Sequence, residues 1–266
     1  MQKSVFDAAF SVIQATDPDQ KVKQSLEMAQ AWLASDLVVE SSNEILKIEM
    51  PGRPVKPELV PASNLPRRRL GTPEGHAALI HAVTHIEFNA INLAWDAVYR
   101  FREMPRDFYT DWIRVGKEEA EHFILLRDHL RSLGYDYGDF PAHNGLWEMA
   151  VRTDFDPMVR MALVPRVLEA RGLDVTPGMM QKLKERGDSR AVEILEVILR
   201  EEIGHVEIGS RWFHYLCDQR KLDSRTTFIE LMNKYMNGQL KPPFHTEARL
   251  KAGFTKEELE LLEKLC

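Results

Sequence analysis

Between residues 191 and 216, the positions at alternating steps of four and three are Ala191, Leu195, Ile198, Glu202, His205, Gly209, Trp212 and Leu216, apolar except for an acid and an imidazole in the middle. This period draws a single helical face, and its composition predicts burial. The same period appears three more times upstream. Thr72-Pro73 opens a helix running to about Phe101, with Ile80, Val83, Glu87, Ala90, Ala94, Ala97 and Phe101 on one stripe. Met104-Pro105 ends it, and a second helix follows from about Arg106 to Leu133, where Gly134 stops it. Its stripe is Trp112, Val115, Glu119, His122, Leu126, His129 and Leu133. A third helix is expected from Pro157 to about Arg171, with Met158, Ala162, Pro165, Glu169 and Gly172 aligned and a kink at Pro165. Gly172–Gly178 should interrupt that helix, and Met179–Arg186 should resume it.

The flanks carry weaker patterns. Residues 5–15 and 21–39 predict two helices parted at Thr16–Asp19, with Asp17 before Pro18 as a cap. Six prolines between Pro51 and Pro73 predict an irregular lead-in, and the triplet Arg67–Arg69 within it fits a solvated stretch better than a phosphate contact. After Gly134, a connector of roughly 20 residues is long for a bundle and predicts a crossover, with one short helix at Leu146–Arg152. The last segment predicts a helix at Thr226–Met236, breaks at Gly238 and Pro242-Pro243, and a charged helix at Lys256–Lys264. Phe244, His245 and Arg249 fit a packing arm better than a lid. The expected architecture is all-α. It is one domain over 1–266, with N-terminal helices and a lead-in at 1–72, a four-helix bundle at 73–222 and a helical arm at 223–266.

Composition narrows the function. A chain of 266 residues with 44% apolar residues can bury a core, and a net charge of -6 speaks against a general binder of nucleic acid or membrane surfaces. Two cysteines, Cys217 and Cys266, are too few for a disulfide framework or a thiolate zinc site, which suits the cytoplasm. No apolar run approaches the 18 or so residues of a membrane span.

The chemistry lies where the stripes are interrupted. Residues i and i+3 of a helix lie side by side, so Glu119-x-x-His122 and Glu202-x-x-His205 can each close on one cation. One such pair arises readily by accident, but here the surroundings repeat as well. Glu87 precedes Glu119 by 32 positions and Glu169 precedes Glu202 by 33. Glu87 and Glu119 are equidistant from Glu103 at the intervening turn, so a helical hairpin brings them to one depth. A Glu from each of two helices and a Glu-x-x-His from each of the other two make a dinuclear carboxylate site. Four buried carboxylates would repel one another, and two divalent cations cancel their charge. Oxygen-rich ligation with one imidazole per ion suits iron, with manganese second. Glu118, Glu121, Glu201 and Glu207 fall off the stripes and are expected to be solvated or to support the ligands. His81 and His85 are expected at a polar surface, and His129 as a satisfied core histidine.

The run HAVTHIEFNAINLAWDAVYRF, the Glu119–His122 motif, VLEARGLD around Glu169 and Glu202-Ile-Gly-His205 resemble the ferritin-like superfamily. The closer resemblance is to its branch called domain-of-unknown-function family 455, and it extends to PPFHTEARLKAGF near the end. This resemblance implies a ferritin-like fold and two metal ions held by Glu87, Glu119, His122, Glu169, Glu202 and His205. By ligand pattern alone, a more distant likeness is to the di-iron hydroxylase acting on a modified adenosine in tRNA. The implied activity is oxygen-activating oxidation of an organic substrate, a small molecule or a modified nucleoside, with an external electron donor. Alternatives are ferrous oxidation, iron storage or peroxide scavenging without an organic substrate, and a binding module without turnover. Long flanks around the bundle favour a monomer or dimer over a shell. The Gly172–Gly178 break is the expected entrance to the site.

Overall fold

The structure, a computed structural model, describes residues 3–66, 68–236 and 240–264. Arg67, Gly238 and Cys266 lie outside the described residues. Among the described residues the regular structure is helical apart from a two-stranded parallel pair, β1 (Lys3–Ser4) with β2 (Leu37–Val38), and an isolated bridge between Leu59 and Ala142. It divides into two compact units, Met1–Val151 and Arg152–Cys266.

The first unit is built on α3 (Pro73–Arg100) and α4 (Arg106–Ser132), with α1 (Val5–Gln14) against α3 and α2 (Pro18–Leu33) against α4. Local chemistry sets the starts. Ser4 caps α1 by accepting from Phe6 N, Asp17 caps α2 by accepting from Gln20 N, and Thr72 caps α3 by accepting from Gly75 N. Pro18 and Pro73 occupy first helical positions, where a missing N–H does no harm. Gly134, at φ +85°, ends α4 in the left-handed conformation that glycine adopts without strain.

All seven residues of the α3 stripe are buried, and so is nearly everything else on this helix from Glu87 to Phe101. A second buried face exists because α1 packs along α3, and α2, lying against α4, sends side chains across to α3. Lys21 of α2 donates to Val12 O, Ile13 O and Asn92 Oδ1 at 2.8, 2.9 and 2.7 Å, which closes the carbonyl end of α1. Trp95 Nε1 donates to Ser25 Oγ at 2.6 Å, and Ser25 Oγ donates to Gly116 O at 2.7 Å, tying three helices together. A side chain at 116 would strike the Trp95 ring, with Cβ 2.8 Å from Nε1, so glycine is what lets α4 come this close.

The expected surface position of His81 and His85 is corrected: both are buried and hold the connector after α4. Gly138 N donates to His81 Nε2 at 2.9 Å, and His85 spans Tyr137 Oη at 2.9 Å and the His143 carbonyl at 3.1 Å. Asn89 Nδ2 also approaches His85 Nε2, at 3.0 Å, so the ring sits among three polar neighbours. Burial lowers both imidazoles to about 4, which keeps them neutral. The short helix of the connector is α5 (Gly145–Arg152).

In the second unit, α6 (Pro157–Leu163) starts at Asp156, which accepts from Met158 N and pairs with Arg220 at 2.7 Å. The kink expected at Pro165 takes the form of a π-helical turn, Val164–Glu169, in which Ala170 N reaches back five residues to Pro165 O. Proline has no N–H to continue the α ladder, and widening the turn accommodates its ring. The expected break at Gly172–Gly178 is absent: α7 runs unbroken from Ala170 to Glu185 through Pro177. Its buried residues Leu173, Asp174, Thr176 and Leu183 carry the helix past the proline by tertiary packing, which overrides local propensity. Asp188 caps α8 (Ser189–Gln219) by accepting from Ala191 N. Then come α9 (Ser224–Met236), α10 (Thr246–Lys251) and α11 (Lys256–Lys264). Among the described residues, no helix is long and apolar enough to cross a membrane.

Candidate metal centre

In the first unit, Glu87, Glu119 and His122 meet. Their side chains are 4%, 1% and 0% exposed, and each offers a ligand atom within 4.8 Å of the others'. His122 Nδ1 is 3.4 Å from Glu87 Oε2 and 3.5 Å from Glu119 Oε2. The hairpin arithmetic places these two carboxylates at one depth, and the coordinates do the same.

Two carboxylates this close in a dry interior are unfavourable when both are ionised. Burial, and then the charge of Glu119, push the Glu87 carboxyl well above its usual range. Burial alone would lower His122, but Glu119 and Glu87 beside it raise it far above an ordinary imidazole. Both shifts say that the cluster wants positive charge, supplied in the protein alone by protons. Glu87 Oε2 is buried without a hydrogen-bond partner, its nearest basic atom lying beyond good bonding length. An orphaned carboxylate oxygen facing a second carboxylate and an imidazole fits a divalent cation that accepts oxygen and nitrogen ligands. These buried groups could therefore hold a metal ion.

The second unit repeats the pattern on a different backbone. On α8, His205 Nδ1 lies 3.3 Å from Glu202 Oε1, with the imidazole buried and the carboxylate 12% exposed. Glu169 is the last residue of the π-helical turn and is half-buried, with Oε2 turned away from solvent. Register can be read from one close approach: a Cβ at Gly209 would lie 2.3 Å from the ring of Pro165. The tight turn at Gly187-Asp188 makes α7 and α8 antiparallel. Four residues on from Pro165 is Glu169, and four back from Gly209 is His205, so the two share a level.

Of the expected non-ligands, Glu121 pairs with Lys117 at 2.7 Å, Glu207 with Arg211 at 3.4 Å and Glu201 with Arg200 at 3.0 Å, all on the surface. His129 is buried near Ser132. Of the arginine triplet, Arg68 pairs with Glu74 at 3.0 Å and lies over the Phe140 ring. Sequence reasoning missed Arg166 and Asp174, which brace the Glu169 turn. The available signal was Asp174 and Arg249, both placed among apolar residues.

Comparison with known proteins adds kinship without chemistry. A protein of Haemophilus influenzae described as uncharacterized is 52% identical over 214 residues, covering 78% of this chain and 74% of that one. No solved structure matches. Residues 14–260 match the family described as "Protein of unknown function (DUF455)", and the chain belongs to that family.

Proposed function

We propose that Glu87, Glu119, His122, Glu169, Glu202 and His205 together bind two metal ions, iron first and manganese second. In this reading, α3, α4, α6–α7 and α8 form one ferritin-like four-helix bundle within a single domain, and the protein is an oxygen-activating oxidase or hydroxylase of an organic substrate. The observation that carries it is the buried Glu87–Glu119–His122 cluster, in which two carboxylates and an imidazole converge with ligand atoms within 4.8 Å of one another. The near-equal spacing of the second set supports a second ion of the same kind.

A bound iron pair would supply the electrons that dioxygen requires. The chain's own residues do the rest. Glu87, Glu119, Glu169 and Glu202 neutralise the two cations, and His122 and His205 ligate as neutral imidazoles once their protons leave. Phe88 and Phe123 follow Glu87 and His122 in sequence and pack at 5.5 Å, helping to keep water from the first set.

Oxygen uptake by protein loaded with Fe(II) and supplied with a reductant tests the reading. Sustained uptake that is lost in His122→Ala is expected. Uptake that stops at one oxidation of the loaded iron assigns the site to iron handling, and absence of uptake assigns the bundle to binding without turnover.

A further inference from the structure

The π-helical turn carrying Glu169 is gripped from both sides by the C-terminal arm, through two buried ion pairs that the metal site itself does not require. Arg166, three residues before Glu169, is fully buried and donates Nη2 to Glu258 Oε1 at 2.7 Å. Its guanidinium lies 4.9, 4.4 and 4.5 Å from the ring centroids of Phe213, Phe228 and Phe254, while Nε and Nη1 make no hydrogen bond. Asp174, five residues after Glu169, accepts from Arg249 Nε at 2.9 Å and Nη2 at 2.7 Å, and from the His245 backbone at 2.9 Å. Between them, Arg171 donates to the carbonyls of Lys241 and Pro243.

Glu258 is itself fixed. Its Oε2 accepts from Thr255 N at 2.9 Å, and its own N donates to Thr255 Oγ1 at 3.1 Å, a capping box at the start of α11. The arm is also fastened to α8, where Ser210 Oγ donates to Ala252 O at 2.8 Å. One rigid element therefore holds the residue before the candidate ligand, the residues after it and the helix bearing Glu202 and His205. A π turn is a poor scaffold when left alone, because its wide ring packs badly and one register shift turns it back to α. A shift of one residue would rotate Glu169 by roughly 100° about the helix axis.

We infer that Arg166, Glu258, Asp174 and Arg249 are positioning residues: the C-terminal arm locks the π-helical turn so that Glu169 stays aimed as a metal ligand. This rests on the reading of Glu169 as a ligand, and the test separates the two.

Hydrogen exchange at the amides of residues 164–173 in the metal-free protein reports the lock without reference to metal. Glu258→Gln should speed exchange there at least tenfold. Met232→Ala, at a buried position of α9 in the same unit, should leave that segment as in the unaltered protein. Asp174→Asn serves as a second variant, because it keeps an acceptor for Arg249. Mn(II) titration followed by electron paramagnetic resonance is the paired readout. The unaltered protein should take two coupled ions, Glu258→Gln should hold the second at least tenfold more weakly, and Glu258→Asp should recover part of it. Unchanged exchange at 164–173 in both Glu258→Gln and Asp174→Asn overturns the lock. An unaltered protein that binds no coupled pair overturns the ligand reading, and hydrogen exchange then decides the lock by itself.

Discussion

The two units carry one ligand alphabet on two kinds of backbone. Glu87 and Glu119–His122 stand on long uninterrupted helices, buried by apolar packing with α1 against α3 and α2 against α4. Glu169 stands on a π-helical turn after a proline, and Glu202 keeps partial exposure on α8. Apolar packing fixes the first set. The second needs buried ion pairs, Arg166 with Glu258 and Arg249 with Asp174, both at 2.7 Å. The difference teaches that near-equal spacing in sequence does not imply equal rigidity, and that the second unit's ligand pattern depends on more than apolar packing.

The sharpest break in that comparison is removal of one ligand from each half. His122→Ala and Glu202→Ala should each lower metal affinity by on the order of 100-fold or more, measured by equilibrium dialysis. The first should affect both ions less evenly than a global loss of fold would. Next in size is the bracing: Arg249→Met removes the two short bonds to buried Asp174, leaving it Arg171 at 3.7 Å as its cation, and should destabilise the protein by about 3 kcal/mol in urea unfolding. A smaller effect is expected from the two close approaches. Gly116→Ala meets the Trp95 ring and Gly209→Ala meets the Pro165 ring, and each should cost about 1–3 kcal/mol. Only Gly209→Ala should also weaken metal binding, because only Pro165 belongs to the turn that carries Glu169.

The pH dependence of the metal-free protein separates the halves further. Glu87 is raised from 4.5 to about 8 and His122 from 6.5 to about 11, so the folded state holds protons that the unfolded chain releases at lower pH. Stability of the metal-free protein should therefore fall as pH rises from about 5 through 8 and beyond. Glu87→Leu should flatten that slope and raise the melting temperature without metal, since it removes one of two apposed carboxylates. A steepened slope in Glu87→Leu would contradict this account of the cluster.

Much of the first half was legible in sequence. The stripe from Ile80 to Phe101 gave the face of α3, and the equal distances of Glu87 and Glu119 from Glu103 gave the depth. One stripe per helix does not reveal the second buried face, and so it points His81 and His85 towards solvent. The near-continuous apolar run from Ile91 to Phe101, whose only charges are the i,i+4 pair Asp96 and Arg100, was the overlooked sign of burial on all sides. The second half was less legible. Pro165 announced a disturbance but not its kind, because whether proline kinks, ends or widens a helix depends on what packs against it, here Gly209. Gly172, Pro177 and Gly178 suggested a break by propensity, and buried Leu173 and Thr176 prevented it. The bracing role of Glu258 lies 92 positions from Arg166, beyond any local pattern.

The most direct test of the central claim is metal content per chain with a Mössbauer spectrum of protein reconstituted with 57Fe. Two ions per chain in a spin-coupled pair, reduced in both His122→Ala and Glu202→Ala, is the predicted result. A single uncoupled ion, or two ions retained in both variants, would contradict it.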